Sequence, residues 1–257
     1  MITSPSNLEV RAVAALHKRA ERERSGLFLI EGRREVARAA SAGIDIAAVY
    51  RRTGSDPLTL AGNPRTVELG EMAFEKLAYG RDGIVATALT PRFGIEDLTI
   101  VEPALVLVVQ SIEKPGNLGA ILRSADGAGA ALVVTDPVTD LVNPNVVRAS
   151  LGSLFTVPVA VATTQEAIGH LTERSIDIGA AIVGSGRPPW EVDLTGPVAI
   201  VIGSEHSGLN PAWSEAAHHL ISLPLAGNVD SLNASVAAGV VLFEAVRQRS
   251  ISRRSLA

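Results

Sequence analysis

The chain has 257 residues, of which 47% are apolar and 19% charged, the balance of a folded globular protein. It has no cysteine, which excludes disulfides, thiolate zinc sites and cysteine nucleophiles, and its apolar runs are too short to cross a bilayer, so we expect a soluble, cytoplasmic protein. The net charge is −4, yet residues 1–90 carry 13 Lys/Arg against 11 Asp/Glu, so the N-terminal third is the more basic part.

The first 90 residues alternate between helical and extended patterns. The spacing of apolar residues predicts one helix over residues 8–23. Further helices are predicted at 33–42 and around 71–77, a turn-rich stretch at 53–64, and strands at 27–30, 46–50 and 84–88. This predicts a small α/β unit, followed by a linker at residues 91–104 that carries prolines and acidic residues.

The second part, residues 105–249, has unbroken apolar runs separated by helical patterns. Strands are predicted at 105–110, 131–135, 157–162, 178–183, 198–202 and 220–223. Helices are predicted at 119–127, 146–154, 165–173, 211–217 and 233–249. Strands without alternation indicate a parallel sheet covered on both faces. We expect the basic tail, residues 250–257, to be disordered.

Three segments follow strands of this predicted sheet, where ligands of open α/β folds bind. The first runs from Glu113 to Arg123 and joins a strand to a helix through a Pro/Gly turn, with Asn117 at the helix start. Asn117 is equally well explained as a helix cap. Arg123 lies among apolar residues, and a guanidinium there needs an anionic partner.

The other two segments are a Gly-rich loop at 202–209, which carries Glu205 and His206, and the stretch 221–235. The loop could hold a ligand with its backbone amides, or it could be a surface turn. In the last stretch, Ser231 could simply cap the final helix.

In combination and order, these three segments resemble the signature motifs of the SpoU (TrmH-type) branch of the SPOUT methyltransferases. Residues 117–129, 202–209 and 221–235 carry most of the likeness, and 143–152 also looks like a stretch found in this branch. Residues 28–32 and 83–86 make the first unit similar to the small L30e-like substrate-binding domain that precedes many members.

The resemblance implies a fold and a cofactor. The fold is an α/β parallel-sheet catalytic domain with a C-terminal deep trefoil knot, preceded by an L30e-like α/β domain. The cofactor is S-adenosyl-L-methionine, held in loops that include Gly203, Leu223, Leu232 and Ser185. Members work as homodimers through the knot region, so the apolar face of residues 233–249 is either a dimer interface or part of the core of its own chain.

The implied reaction is methyl transfer to a ribose 2′-hydroxyl in RNA, most simply 23S ribosomal RNA. Arg123 would stand at the hydroxyl, with Asn117, Glu205, Ser231 and Asn233 arranged around it. Because a guanidinium seldom gives up its proton, we assign Arg123 to stabilising the alkoxide and binding phosphate, and leave the proton acceptor open. The predicted RNA-binding cations are Lys18, Arg19, Arg22, Arg33, Arg34 and Arg148.

Four alternatives stay open at this point. The substrate could be transfer RNA, or the protein could bind RNA without catalysis. Asp136 lies 20 residues after Gly116, as in NAD-dependent oxidoreductases, but the glycines do not form G-x-G-x-x-G. A serine hydrolase is disfavoured because Gly203-Ser204-Glu205 is not a nucleophile elbow. The five histidines lack zinc spacing, so we expect no metal.

Overall fold

The computed structural model describes residues 1–78, 82–204 and 207–255, of which residues 253–255 are described by their backbone alone. It divides the chain into two compact units. The first comprises residues 1–92 and 140–156, and the second comprises 93–139 and 157–257. Within the described ranges, no helix is both long and apolar enough to span a membrane.

The first unit is a four-stranded mixed sheet with short helices. Its strands are β1 (Leu27–Glu31), β2 (Ile46–Arg52), β3 (Arg65–Leu69) and β4 (Ile84–Leu89). Its helices are α1 (Leu8–Ala15), α2 (Arg19–Ser25), α3 (Arg33–Ser41), α4 (Glu71–Glu75) and α6 (Pro144–Ala149). The strand order is β1-β4-β2-β3, with β2 and β3 parallel and the other pairs antiparallel.

The second unit is built on a six-stranded sheet. Its strands are β5 (Leu105–Gln110), β6 (Ala131–Thr135), β7 (Val159–Ala162), β8 (Asp177–Ala181), β9 (Val198–Ile202) and β10 (His219–Ile221). Its helices are α5 (Pro115–Ala128), α7 (Thr164–Glu173), α8 (Pro211–Ala216) and α9 (Ala234–Ser255). The order is β10-β8-β9-β5-β6-β7, and every pair is parallel, as the unalternating strands predicted.

Several elements differ from the sequence predictions. The single helix predicted over 8–23 is two helices, because the backbone of Lys18 is extended between them. Strand β3 was missed, since its first two residues are exposed and polar and only Val67 and Leu69 are buried. The helix predicted over 146–154 is α6 followed by a short 3-10 turn, Ser153–Phe155.

Three predicted segments have a different role in the structure. Residues 140–156 group with the first unit, where α6 packs against β1, although we predicted them within the second part of the chain. Within the predicted linker, Leu98 is buried in the core of the second unit. The predicted disordered tail is helical as far as Ser255, because α9 continues past Arg249.

Arg249 on α9 ties together the starts of the two central strands. Its guanidinium donates hydrogen bonds to the carbonyls of Ala104 (2.8 Å) and Pro103 (2.8 Å), just before β5. It also donates to Leu194 (3.1 Å) and Gly196 (2.6 Å), which precede β9. A planar fork with five donors can hold diverging carbonyls in this way, whereas a lysine ammonium cannot match the same geometry.

We therefore expect Arg249→Ala to lower the free energy of unfolding by about 2–4 kcal/mol, since several carbonyls lose a charged donor. Urea unfolding followed by circular dichroism measures this. The matched control is Arg247→Ala, two residues away, where a half-exposed guanidinium is lost from Glu244, which keeps its hydrogen bond from Gln248, and the expected change is about 1 kcal/mol. Equal effects of the two substitutions would contradict the role of Arg249.

Candidate functional site

A cavity of about 710 Å³ lies where the chain leaves β8, β9 and β10. These strands are parallel neighbours, so their carboxyl ends share one edge of the sheet. The cavity is lined by residues that follow each strand and by the start of α9: Ile182, Val183, Gly184, Ile202, Gly203, Ser204, Ser207, Gly208, Leu209, Ser222, Leu223, Pro224, Leu225, Asp230, Ser231, Leu232, Ala234, Ala237 and Val241.

Two glycines let backbone segments approach closely beside this cavity. A Cβ on Gly203 would lie 2.4 Å from the carbonyl carbon of Gly208 and 2.7 Å from the amide nitrogen of Leu209. A Cβ on Gly186 would lie 2.7 Å from the carbonyl carbon of Ile221. Both contacts are far inside van der Waals distance, so no larger residue fits without moving the main chain.

The loop after β9 is closed on itself. Ser204 and Gly208 exchange two backbone hydrogen bonds of 3.1 and 3.2 Å, and the hydroxyls of Ser204 and Ser207 lie 2.7 Å apart. Glu205 and His206, also in this loop, lie outside the described residues. The described residues of this loop therefore contribute backbone groups and small side chains to the wall of the cavity.

The chemical character of the cavity limits its ligand. Its described wall combines aliphatic side chains with serine hydroxyls and backbone groups, and the one charged residue in that wall is Asp230. A phosphate group would find no cation in this part of the wall. The donor set suits an uncharged ring system attached to a cationic group.

Of the four predicted cofactor residues, Gly203, Leu223 and Leu232 line the cavity. Ser185 is exposed and does not line it, although its neighbour Gly184 does. The predicted catalytic residue Ser231 also lines the cavity rather than capping α9. The cap is Asn233, whose Oδ1 accepts hydrogen bonds from the Ser235 amide (3.0 Å) and hydroxyl (2.6 Å).

Asn117 and Asn233 meet at the starts of α5 and α9. The Nδ2 of Asn233 donates to the Oδ1 of Asn117 over 3.2 Å. Asn117 is the third residue of α5 and Lys114 occupies the cap position, so Asn117 is not the cap that its sequence position also suggested. These two predicted site residues, 116 positions apart in sequence, are brought into contact by the packing of α5 on α9.

Arg123 is exposed and lies six residues, nearly two turns, beyond Asn117 on α5. The apolar residues around it in sequence, Ile121, Leu122 and Ala125, are buried on the other side of the helix. Our premise that Arg123 lies on an apolar face is therefore wrong. Among the described residues it makes no hydrogen bond or ion pair, so its guanidinium can bind an anion from outside the chain.

The predicted RNA-binding cations fall into two groups. Arg22 is 3% exposed, and its guanidinium donates to Asp140 (2.6 Å) and to the Leu16 carbonyl (2.8 Å), so our assignment of Arg22 to RNA binding is wrong. Arg33 donates to the carbonyls of Asp56 and Pro57, so its guanidinium is engaged in holding that loop.

The remaining predicted cations are more accessible. Lys18 and Arg148 are exposed, and Arg148 donates to Asn145 over 2.9 Å. Arg19 and Arg34 are about half exposed and form ion pairs with Glu23 and Glu35, both 2.7 Å long. The Arg19–Glu23 pair is exposed on both sides, and such a pair contributes little stability and can exchange its partner for phosphate, whereas Glu35 is buried and holds Arg34 more firmly.

Sequence reasoning missed the polar group at the end of β5. Gln110 is 6% exposed and is bonded to Asp136, Thr164 and the backbone of Asn210. The available signal was a polar residue that ends an otherwise apolar strand. The carboxylate of Asp136 is engaged by Thr164 and Gln110, which leaves it poorly suited to the ribose contact of a dinucleotide enzyme. Within the described ranges, no cluster of three His, Asp or Glu could hold a metal ion.

Comparison with known proteins addresses both units. The profile of the SpoU rRNA Methylase family matches residues 104–243, more than half of the chain. The profile of the MRM3-like substrate binding domain matches residues 7–86.

Named relatives and solved structures agree with these profiles. The chain is 37% identical over 175 residues to a 23S rRNA (guanosine-2′-O-)-methyltransferase RlmB from Ralstonia nicotianae, covering 66% of this chain and 70% of the relative. It is 30% identical over 256 residues to a 23S rRNA (uridine(2479)-2′-O)-methyltransferase from Streptomyces viridochromogenes, covering 93% and 89%. The structure of the SpoU methyltransferase AviRb from Streptomyces viridochromogenes in complex with AdoMet superposes with a TM-score of 0.87 at 29% identity, covering 95% and 99%.

The motifs after β5, β9 and β10, the cavity at the ends of β8, β9 and β10 and these matches lead to one conclusion: the chain belongs to the SpoU rRNA methylase family, and its residues 7–86 match the MRM3-like substrate binding domain.

Proposed function

We propose that this protein transfers a methyl group from S-adenosylmethionine to a ribose 2′-hydroxyl in ribosomal RNA, most simply 23S rRNA. The observation that carries the proposal is the cavity at the ends of β8, β9 and β10 beside the Asn117–Asn233 pair. The relatives from Ralstonia and Streptomyces are named as 23S rRNA 2′-O-methyltransferases, one for guanosine and one for uridine, which supports the reaction but not a particular base.

The cavity fits S-adenosylmethionine. Its apolar walls and serine hydroxyls suit an adenosyl group, and Asp230 supplies a negative charge for a ligand that is cationic at sulfur. Gly203, Leu223 and Leu232 would hold the cofactor through wall and backbone contacts, while Ser185 would act only if its loop moved inward. When bound, the cofactor supplies an activated methyl group.

The chain's own residues would align the ribose and stabilise the negative charge on the oxygen that loses its proton. Arg123 would bind a phosphate of the RNA and stabilise the oxygen that loses its proton, because a guanidinium donates and does not accept. The hydrogen bond between Asn117 and Asn233 fixes the starts of α5 and α9 relative to each other. Ser231, just before α9, would thereby be held in place beside the ribose. We keep Glu205 in this set on the strength of its motif.

Methyl transfer from radiolabelled S-adenosylmethionine to total RNA, followed by nuclease digestion, tests the reaction. We expect label in a 2′-O-methylnucleoside of 23S rRNA.

Arg123→Ala should lower transfer by at least about 100-fold, while cofactor binding measured by calorimetry changes by less than about threefold. The control is Arg174→Ala, an exposed arginine of α7's end that should transfer normally. Label in transfer RNA would favour the transfer RNA alternative, and a large loss of cofactor binding in Arg123→Ala would contradict its role.

For the fold, we propose that the C-terminal part of the second unit forms the deep trefoil knot of this family and that the first unit is L30e-like. The segment 182–187 lies against β10 through the Arg187–Ile221 bridge and the close approach at Gly186. The chain then leaves β10 at the sheet edge, and α9 packs back on α5 and β9 at the centre. Because α9 returns to the centre of the sheet after the chain has passed the segment 182–187 at the edge, this path supports the proposal that the C-terminal segment is threaded.

The first unit would bind the RNA. Lys18 is an exposed predicted cation at the turn between α1 and α2. We expect Lys18→Glu to weaken RNA binding by about three- to tenfold and to flatten its salt dependence, since one phosphate contact is lost. Filter binding at two salt concentrations measures this on the intact chain, because residues 140–156 need the first unit for their packing. Arg174→Glu, in the second unit, is the charge-matched control, and equal losses would contradict the surface assigned.

We also propose a homodimer formed through α9. Ala238, Val241, Leu242 and Ala245 of this helix are buried within the chain, so part of the helix belongs to the core. Val236, Val240 and Phe243 are 45–49% exposed and share a second face at helical spacing. An exposed apolar stripe of this kind is typical of a subunit interface.

Light scattering should give twice the mass of the chain for the wild type and the mass of one chain for Val240→Glu, because a charge in an apolar interface is costly. Val138→Glu, at another exposed valine of the second unit, should leave the mass unchanged. A monomeric wild type would refute the dimer.

A further inference from the structure

Gln110 is a buried primary amide at the carboxyl end of β5. The five residues before it, Leu105 to Val109, are apolar and buried, and Gln110 itself is 6% exposed. Both ends of its side chain are hydrogen-bonded, so its cost of burial is offset by specific partners. This side chain has no part in the reaction proposed above.

The acceptor end of Gln110 holds the loop that walls the cavity. Its Oε1 accepts a hydrogen bond from the backbone N–H of Asn210 over 2.8 Å. Asn210 follows directly after Gly208 and Leu209, which line the cavity. The other end of the loop begins at Ile202, which pairs with Val109 in the sheet. Consecutive residues of β5 therefore anchor both ends of the loop.

The donor end of Gln110 is oriented by a carboxylate. Its Nε2 donates to Asp136 Oδ2 over 3.1 Å and lies 3.3 Å from the Thr164 hydroxyl. Asp136 also accepts from the Thr164 hydroxyl (2.6 Å) and amide (3.3 Å) at the start of α7. Because an ionised carboxylate only accepts, the amide nitrogen must face Asp136 and the amide oxygen must face Asn210.

We propose that Gln110 is a positioning residue, which sets the place of the cavity loop and thereby the affinity for the cofactor, with Asp136 fixing its orientation. The inference rests on the proposed function, since it concerns the same cavity. The hydrogen bonds between Ser204 and Gly208 determine the shape of the loop, but they do not fix its position relative to the sheet. The hydrogen bond between Gln110 and Asn210 fixes that position.

The test compares three variants with an exposed control. Gln110→Leu keeps the approximate volume and removes the hydrogen bonds to Asn210, Asp136 and Thr164. Gln110→Glu keeps an oxygen for Asn210 but sets a second carboxylate against Asp136, so its bond to Asp136 needs a shared proton. Combining Gln110→Glu with Asp136→Asn again pairs a donor with an acceptor, with the amide now at position 136 and the carboxylate at position 110. The control is Gln165→Leu, at an exposed position of α7.

Calorimetric binding of S-adenosylhomocysteine is measured for each variant, together with amide hydrogen exchange at Asn210 without ligand and the melting temperature. We expect Gln110→Leu to weaken binding by about tenfold or more and to speed exchange at Asn210. Gln110→Glu should bind nearly as the wild type does at about pH 6 and as weakly as Gln110→Leu at about pH 9, each compared with the wild type at the same pH. The double variant should bind normally at both values.

The outcomes separate the inference from the function on which it rests. If the wild type does not bind S-adenosylhomocysteine, the proposed function fails and the inference fails with it. If the wild type binds and Gln110→Leu binds equally, the inference alone is wrong. It is also wrong if the melting temperatures fall while exchange at Asn210 and the pH dependence stay those of the wild type, since Gln110 would then only stabilise the fold. If Gln110→Leu does not fold, the pH dependence of Gln110→Glu and its rescue by Asp136→Asn decide.

Discussion

The pairing of β5 with β9 at the centre of the six-stranded sheet is the constraint on which the rest of the second unit depends. Both strands are buried along their whole length and run parallel, so everything that follows them emerges at one edge. At the opposite edge, Arg249 holds the carbonyls that precede both strands. The same two strands thus fix the last helix at one end and the site at the other.

Because the site is formed by chain segments rather than by long side chains, small residues matter more there than reactive ones. Gly203 and Gly186 allow main-chain contacts that any Cβ would prevent. The closed loop after β9 presents backbone groups and hydroxyls to the cavity, and its position is set by the bond between Gln110 and Asn210. A wall made of backbone has little freedom of its own, so its placement depends on a few such anchoring bonds.

Several charged side chains of the first unit form ion pairs with each other within that unit. Arg22 is buried against Asp140, and Arg65 forms a two-bond pair with Glu9, which lowers the pKa of that carboxyl. Burial and the hydrogen bond to Glu9 raise the pKa of Tyr50 to about 12, so the phenol stays neutral at physiological pH. A count of basic residues therefore overstates the number of cations available to RNA, although Lys18 and Arg148 are among those that are exposed.

The strands of the second unit were predictable because a fully buried parallel strand is apolar along most of its length: β9 is apolar throughout, and β5 and β6 are apolar up to their last residues, Gln110 and Thr135. β3 was not, since only two of its side chains are buried and its first two residues are exposed and polar. Motif likeness predicted Gly203, Leu223, Leu232 and Ser185 as cofactor-binding residues, and of these the first three line the cavity, whereas Ser185 does not.

The sequence by itself determined the parallel α/β class, the three motifs after β5, β9 and β10, and through them the family, because local apolar patterning and motif order are properties of the chain alone. Tertiary structure decided which polar groups meet. The contact of Asn117 with Asn233, the burial of Arg22 and the bond from Gln110 to Asn210 join residues about 100 or more positions apart. No local pattern encodes such pairs, since they arise only when packing brings distant segments to the same place.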